Sequence, residues 1–111
     1  MVAKAWVPEA GDIVWLHFDP QAGHEQAGHR PAVVLSPATY NFKTGLMLCV
    51  PLTTRVKGYP FEVAVAGTRG GVALADQVKS LDWPARKAVR KGKTSAAELE
   101  AIRARARALV G

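Results

Sequence analysis

Asp12-Ile13-Val14-Trp15-Leu16-His17-Phe18 and Pro31-Ala32-Val33-Val34-Leu35-Ser36 are the two stretches that decide the fold. Both are short and apolar, and the first is rich in β-branched and aromatic residues with no stripe at helical spacing, so both are predicted to be strands. The segment between them is long for a small domain, where connections of about 4–6 residues are the median and longer ones are often functional. We therefore expect two strands that flank a functional loop.

This loop carries a dense set of titratable groups, His24, Glu25, His29 and Arg30, together with two glycines. Loops held by a rigid scaffold are where binding and catalytic groups concentrate. A zinc site of the metalloprotease type needs two histidines four apart on a helix. Here the two histidines are five apart with Gly28 between them, and each could equally serve as a hydrogen-bonding partner within the loop. The sequence therefore predicts no metal site and no cofactor.

Three further apolar runs predict additional strands, at residues 46–50, 61–65 and 72–74. Pro51 follows the first of them and is expected to block regular pairing there. Residues 40–45 are interpreted as a connecting segment. About five short strands followed by one helix indicate a small, mostly antiparallel barrel or curled sheet.

The clearest helix lies at the C-terminus. Ser95 and Glu98 have the capping-box spacing, in which each side chain satisfies the other residue's free backbone donor. Arg103 and Arg107 are interpreted as a solvated face of this helix. The predicted buried face consists of the apolar residues at helical spacing, Leu99, Ile102, Ala106 and Leu109.

The length and the net charge of the chain favour a single domain over residues 1–111 and a charged partner. The chain has 111 residues, a formal net charge of +6 and a sequence pI of about 9.9. A basic small domain favours nucleic acid as partner, with an acidic protein next. No run approaches the length of a membrane span, and residues 1–8 lack a signal-peptide core, so a cytoplasmic protein is expected. Cys49 lies in an apolar run and is expected to be a buried, inert thiol.

Several single residues suit phosphate chemistry. Arg30 precedes Pro31, which favours an extended backbone, and its planar guanidinium matches a phosphate. Thr53 and Thr54 follow a predicted strand and could donate hydroxyls to a phosphate or cap the strand end. Lys57 and Lys79 are single cations for which a solvated surface position is the ordinary interpretation.

Taken together, these stretches resemble the MazF/PemK family of toxin–antitoxin ribonucleases, and most closely its MazF branch. The resemblance runs from about residue 11 to residue 110. It is carried by the following residues: Gly11-Asp12-Ile13-Val14-Trp15, Phe18-Asp19-Pro20, the unbroken run from Glu25 to Pro37, Val50-Pro51 with Thr53-Thr54, the run from Lys57 to Val63, and the run from Gly71 to Ser80.

The resemblance implies a mostly β (α+β) fold, a small SH3-like antiparallel β-barrel with short helices, which forms a homodimer. It implies a toxin of a type II toxin–antitoxin system that cleaves single-stranded RNA, mainly mRNA, sequence-specifically and without metal. It also implies a partner, an antitoxin whose extended acidic tail blocks the RNA groove.

The resemblance to the MazF branch implies Arg30 and Thr53 as catalytic residues, with Glu25 as the other important position in the loop. In the PemK branch an aspartate, an arginine and a histidine act together, and Asp76 and His24 match the first and last of these. The position of that arginine is Leu74 here, so the complete PemK-branch mechanism cannot apply to this chain. Arg30 is therefore the main catalytic candidate.

RNA can be cleaved without metal because its own 2′-hydroxyl can attack the neighbouring phosphorus. Arg30 fits charge stabilisation and Thr53 fits hydroxyl donation to a phosphate oxygen. Glu25 is the best candidate for the base, and His24 or His29 are rivals because histidine titrates near neutral pH. The residues expected to contact RNA are Ser36, Thr54, Lys57, Gln77 and Lys79.

Two other functions are compatible with a small basic β-domain. One is a nucleic-acid-binding barrel without enzymatic activity, since fold does not fix function. The other is a toxin directed at DNA gyrase, an activity hosted by a related fold. A passive binder has no need for the set of Glu25, Arg30 and Thr53, and gyrase poisons of that kind act through a C-terminal helix.

Overall fold

A computed structural model describes residues 6–17 and 29–111. The described chain contains seven β-strands, two α-helices and one short 3-10 turn at Ala66–Thr68. In chain order the elements are β1 (Asp12–His17), β2 (His29–Val34), α1 (Ala38–Thr44), β3 (Leu46–Thr53), β4 (Glu62–Ala64), β5 (Val72–Leu74), β6 (Lys79–Asp82), β7 (Val89–Lys93) and α2 (Ala96–Val110).

The strands form one antiparallel sheet in the order β4-β5-β3-β2-β1-β7, and β6 also pairs with β3. The predicted mostly β fold with a C-terminal helix is confirmed. In the described chain β4 and β7 end the path without pairing to each other, so the sheet is curled and open and the barrel is not closed.

Two apolar clusters lie on opposite faces of this sheet. Alternate residues of a strand point to opposite faces, and accordingly Ile13 belongs to one cluster and Val14 to the other. The first cluster is covered by Ile102 of α2. The second includes Leu16, Ala32, Val34, Met47 and Cys49, with Trp6 and Trp83 packed against it.

Strand β3 changes its neighbour along one edge. It pairs with β6 up to Cys49 and with β5 from Leu52, while β2 pairs along its other edge. Two residues separate Cys49 from Leu52, whereas five separate their partners, Lys79 for Cys49 and Ala73 for Leu52. The additional residues form an excursion between β5 and β6, and Val50 and Pro51 have no strand partner on this edge of β3.

The expectation that Pro51 would block pairing is wrong. Pro51 is buried inside β3 and is the register partner of Ala32 in β2. At this position β3 has no neighbour on its other edge, because β6 has ended and β5 has not begun. Proline is tolerated where a strand lacks a ladder partner.

The segment interpreted as a connection contains helix α1, which ends at Gly45 with φ 74 in the left-handed conformation. Its Asn41 is completely buried. The Asn41 amide nitrogen donates to the Pro8 carbonyl at 2.8 Å and to the Ser36 carbonyl at 3.0 Å. The Ser36 hydroxyl donates to Asn41 Oδ1 at 2.6 Å. This network ties the N-terminal segment and α1 to the sheet.

Replacing Asn41 with alanine is expected to lower the free energy of unfolding by about 2–3 kcal/mol, because two carbonyls and a hydroxyl would lose their partner in a buried site. Urea unfolding followed by circular dichroism measures the change. Lys43→Ala, at an exposed position of the same helix, is the control and should change stability little. Equal stability of the two variants would contradict this role of Asn41.

Helix α2 begins with the predicted capping box: Glu98 N–H donates to Ser95 Oγ at 3.0 Å, and Ser95 N–H donates to Glu98 Oε1 at 2.9 Å. Glu98 also accepts from Ala66 N–H at 2.9 Å, which docks the helix on the 3-10 turn. The backbone donors of Ala66 and Ser95 lower the pKa of the Glu98 carboxyl.

Two expectations about α2 are wrong. Leu109 is exposed, and Ile102 is the only buried residue of α2. Arg103 is not a solvated residue, because its guanidinium donates to the Leu35 carbonyl at 2.9 Å. The long side chain therefore spans from the helix to the end of β2.

Strands β6 and β7 were not predicted from the sequence, which shows lysine and arginine rather than apolar alternation there. Strand β7 pairs with β1 and carries Arg90 and Lys93, which contact the buried Asp12 carboxylate at 3.2 Å and 3.4 Å. These contacts fix the edge of the sheet beside β1.

Candidate active site

Arg30 and Thr53 lie at the same end of two neighbouring strands. Ala32 of β2 is the partner of Pro51 in β3, and the strands run antiparallel. Arg30 and Thr53 are each two residues beyond that pair, in the matching direction, so continuing the register places them opposite each other. Side chains two residues apart on a strand share a face, and Arg30 and Thr53 therefore point to the same side of the sheet.

The Thr53 hydroxyl is oriented by its own backbone. Its oxygen accepts a hydrogen bond from Arg55 N–H at 3.0 Å. Because a hydroxyl has one donor in addition to its acceptor lone pairs, the Thr53 proton remains available to a bound group. Thr53 is half-buried and Arg30 is exposed, so both are accessible from solvent.

A cleft of about 260 Å³ opens at Thr53. It lies beside the end of β3 and the paired residues Glu62 and Leu74 of β4 and β5, and the excursion between β5 and β6 forms one wall. Of the predicted site residues the cleft brings together Thr53, Lys57, Asp76 and Gln77. The other lining residues were not predicted from the sequence: Arg55, Tyr59, Phe61, Glu62 and Leu74.

The opposite wall of the cleft is the connection from β3 to β4, and Glu62 holds it in place. The Glu62 carboxylate accepts from Lys57 N–H at 3.1 Å and from Gly58 N–H at 2.9 Å. The rings of Tyr59 and Phe61 pack with centroids 5.2 Å apart, and Tyr59 is exposed. The sequence signal that could have predicted this wall is an aromatic ring beside cations, since nucleic-acid-binding proteins often combine the two.

The remaining predicted RNA contacts divide into two groups. Lys79 is the register partner of Cys49, which places it on the same face as Thr53, and Thr54 is exposed at the end of β3. Ser36 is different, because it is buried and its hydroxyl donates to Asn41 and accepts from Leu48 N–H at 2.9 Å. The prediction of Ser36 as an RNA contact is corrected accordingly: its role is structural.

The predicted acid–base residues have three different positions. His24 and Glu25 lie outside the described residues. His29 begins β2 and its ring contacts those of His17 and Trp15, on the face opposite to Arg30. Asp76 is exposed in the wall of the cleft.

Cys49 is completely buried below this face, as predicted. Burial raises the pKa of its thiol from 9.0 to about 12, although the charges of Lys79 and Arg86 act in the opposite direction. Within residues 6–17 and 29–111, no group of three or more histidine, cysteine and acidic side chains could hold a metal ion.

Cys49 is therefore expected to resist iodoacetamide at pH 8 in the folded protein and to react once the protein is unfolded, because alkylation requires an accessible thiolate. Mass spectrometry of the labelled protein with and without 6 M guanidinium, about the concentration that unfolds most domains, measures this. Rapid labelling of the folded protein would contradict the burial of the thiol.

The chain is similar to known proteins over nearly its whole length. Residues 9–110 match the family model described as PemK-like, MazF-like toxin of type II toxin–antitoxin systems. The chain belongs to this family. The match covers the strands that contain Arg30 and Thr53, the cleft and all of α2.

Individual members of the PemK/MazF family are similar over the whole chain. The endoribonuclease toxin MazF of Escherichia coli K12 is 60% identical over 112 residues, covering 100% of both chains. A crystal structure of MazF from Deinococcus radiodurans has a TM-score of 0.85 at 52% identity, covering 96% of this chain and 99% of that one. A MazE–MazF structure from the same organism has a TM-score of 0.87 at 49% identity, covering 96% and 98%. No helix in the described part of the chain is long and apolar enough to cross a membrane.

Proposed function

We propose that the sheet face carrying Arg30, Thr53 and Lys79, together with the adjoining cleft, binds single-stranded RNA and cleaves it. The chain is an endoribonuclease toxin of a type II toxin–antitoxin system, as its family and its full-length similarity to MazF establish. The observation that supports the proposed site is the register of β2 and β3, which would set Arg30 opposite Thr53 if it continued two residues past Ala32 and Pro51. Thr53 also lines the cleft.

The proposed reaction uses the substrate's own nucleophile. The ribose 2′-oxygen forms a bond to phosphorus, the bond from phosphorus to the 5′-oxygen of the next nucleotide breaks, and a proton moves from the former oxygen to the latter. The products are a 2′,3′-cyclic phosphate and a 5′-hydroxyl. No metal is required, provided that the protein stabilises the charge that develops on the phosphoryl oxygens.

Arg30 is proposed to bind these oxygens through its planar guanidinium, and Thr53 to donate its free hydroxyl proton to one of them. Glu25 is proposed as the base, with His24 or His29 as rivals, since all three belong to the loop before β2 or to its first residue. Asp76 lies in the cleft beside Gln77, where a carboxylate suits base recognition at least as well as proton transfer.

Sequence-specific recognition of mRNA is proposed to take place in the cleft, through the edges of unstacked bases. Gln77 offers an amide that can both donate and accept hydrogen bonds, and Tyr59 offers an exposed ring for stacking. Thr54, Lys57 and Lys79 are proposed to contact the backbone of the RNA, and Arg55 joins them because it lines the cleft.

The proposed protein partners are a second copy of this chain and an antitoxin. Solved relatives include MazE–MazF assemblies from Deinococcus radiodurans. An extended acidic tail of such an antitoxin would be attracted by the net charge of +6 and would compete with RNA for the same cations. Because the substrate is mRNA, the proposed compartment is the cytoplasm.

The test is to incubate the purified protein with a mixed-sequence RNA in EDTA and to map the new ends. Discrete cuts with 5′-hydroxyl ends are expected. Intact RNA that shifts in a gel would instead indicate a non-enzymatic binder, and intact RNA with inhibited supercoiling would indicate a gyrase-directed toxin. Arg30→Ala protein purified in parallel controls for contaminating ribonuclease, and the cut positions give the recognition sequence.

A further inference from the structure

A row of three rings lies on the other face of the sheet, at the same end as Arg30. The ring centroids of Trp15 and His29 are 6.3 Å apart at an interplanar angle of 87°, and those of His29 and His17 are 4.2 Å apart at 40°. Lys91 Nζ lies 5.7 Å from the centroid of the Trp15 ring. We name Trp15, His17 and His29 the ring row.

The ring row lies beyond the edge of the core. Ile13, on the same face of β1, is 6% exposed in the cluster covered by α2, whereas Trp15 and His17 are half-buried and His29 is exposed. Val89, the register partner of Trp15 in β7, is 52% exposed. Packing of the core therefore does not require aromatic residues at this end of the strands.

One cation of β7 lies beside the ring row. This is Lys91, which contacts the Trp15 ring, whereas Arg90 and Lys93 of the same strand contact Asp12. A row of flat rings beside a cation is suited to single-stranded nucleic acid, with bases stacked on the rings and a phosphate near the cation. His29 precedes Arg30 directly, so the ring row meets the proposed catalytic face at the last register pair of β1 and β2, His17 with His29.

We propose that the ring row is a subsite for a base of the RNA substrate that flanks the scissile phosphate, with Trp15 as the main stacking surface and Lys91 beside the phosphate of that nucleotide. This inference rests on the proposed function, and it assigns to His29 a stacking role rather than proton transfer.

A base bound outside the reacting centre contributes to substrate affinity and not to the chemical step. Trp15→Ala is therefore expected to raise KM about tenfold for a short RNA that carries one mapped cleavage site, with kcat unchanged. Trp15→Phe keeps a ring and should retain a KM close to that of the unchanged protein. Phe42→Ala, which removes an aromatic side chain that is 71% exposed on α1, is the matched control and should not alter KM.

A binding titration tests whether the ring row binds RNA, independently of cleavage. Mixed-sequence 2′-O-methyl RNA, which lacks the attacking hydroxyl, is expected to quench the tryptophan emission of the unchanged protein, and the quenching should disappear in Trp15→Phe. Persistent quenching in Trp15→Phe, or an unaltered RNA affinity of Trp15→Ala, would overturn the subsite. A Trp15→Ala protein that binds RNA normally but changes its mass in light scattering would show a subunit contact instead. Failure of the unchanged protein to cleave RNA would reject the proposed function separately.

Discussion

Arg30→Ala is expected to lower the rate of RNA cleavage by about 10²–10³-fold, the usual effect of removing one donor that stabilises a developing oxyanion. The guanidinium is exposed at the start of β2, where the register with β3 directs it to the face of Thr53. Because the charge on the phosphoryl oxygens is greatest in the transition state, the loss should appear in kcat more than in KM. Single-turnover cleavage of a short RNA with one mapped site measures it.

Two controls accompany this variant. Arg30→Lys keeps the charge but loses the planar fork, so partial activity is expected. Arg107→Ala removes an exposed arginine of α2, which pairs with Glu100 at 3.0 Å, and should cleave at the original rate. Unimpaired cleavage by a folded Arg30→Ala protein would exclude Arg30 from the reaction.

Thr53→Val is expected to lower kcat by about 10²-fold, because valine has nearly the same shape as threonine but cannot donate a hydrogen bond to the phosphate. The side chain is half-buried at the mouth of the cleft, and its oxygen already accepts from Arg55 N–H. The effect on folding should be small, since that donor lies in an exposed part of the chain. The same single-turnover assay measures the change.

Thr53→Ser restores the hydroxyl without the methyl group and should recover most of the activity. Thr68→Val is a matched control, because the Thr68 hydroxyl donates within its own turn to the Val65 carbonyl, away from the cleft. If Thr53→Val and Thr53→Ser were equally active, the hydroxyl would have no part in catalysis.

The sequence predicted those elements whose local signals agree with their tertiary role. The capping box of Ser95 and Glu98 and the β-branched run of β1 are of this kind. Helix α1 was not predicted because no local pattern reveals the contacts that hold it. Its buried Asn41 amide donates hydrogen bonds to the carbonyls of Pro8 and Ser36, which lie outside the helix. Pro51 was misjudged because only the topology shows that β3 lacks a neighbour beside it.

The candidate site was predictable in part for the same reason. Thr53, Lys57, Asp76 and Gln77 were named from the sequence, and the structure places all four around one cleft. Ser36 is a small polar residue that follows the loop and β2 in the sequence, which suggested a contact with RNA. Its hydroxyl instead makes hydrogen bonds inside the protein, with Asn41 and Leu48. Tyr59 and Glu62 acquire their positions only through the fold of the connection that they stabilise.

The change of neighbours along β3 separates the strands that carry the proposed catalytic residues from the segment proposed to recognise bases. Arg30 is held in the ladder of β1 and β2 by Leu16, and Thr53 in the ladder of β3 and β5 by Val72. Gln77 instead belongs to the excursion between β5 and β6, which is exposed from Asp76 onward. Exposed connections tolerate changes of length and composition that a ladder does not. Changes in this excursion could thus give homologous nucleases different RNA recognition sequences, while the catalytic residues stay the same.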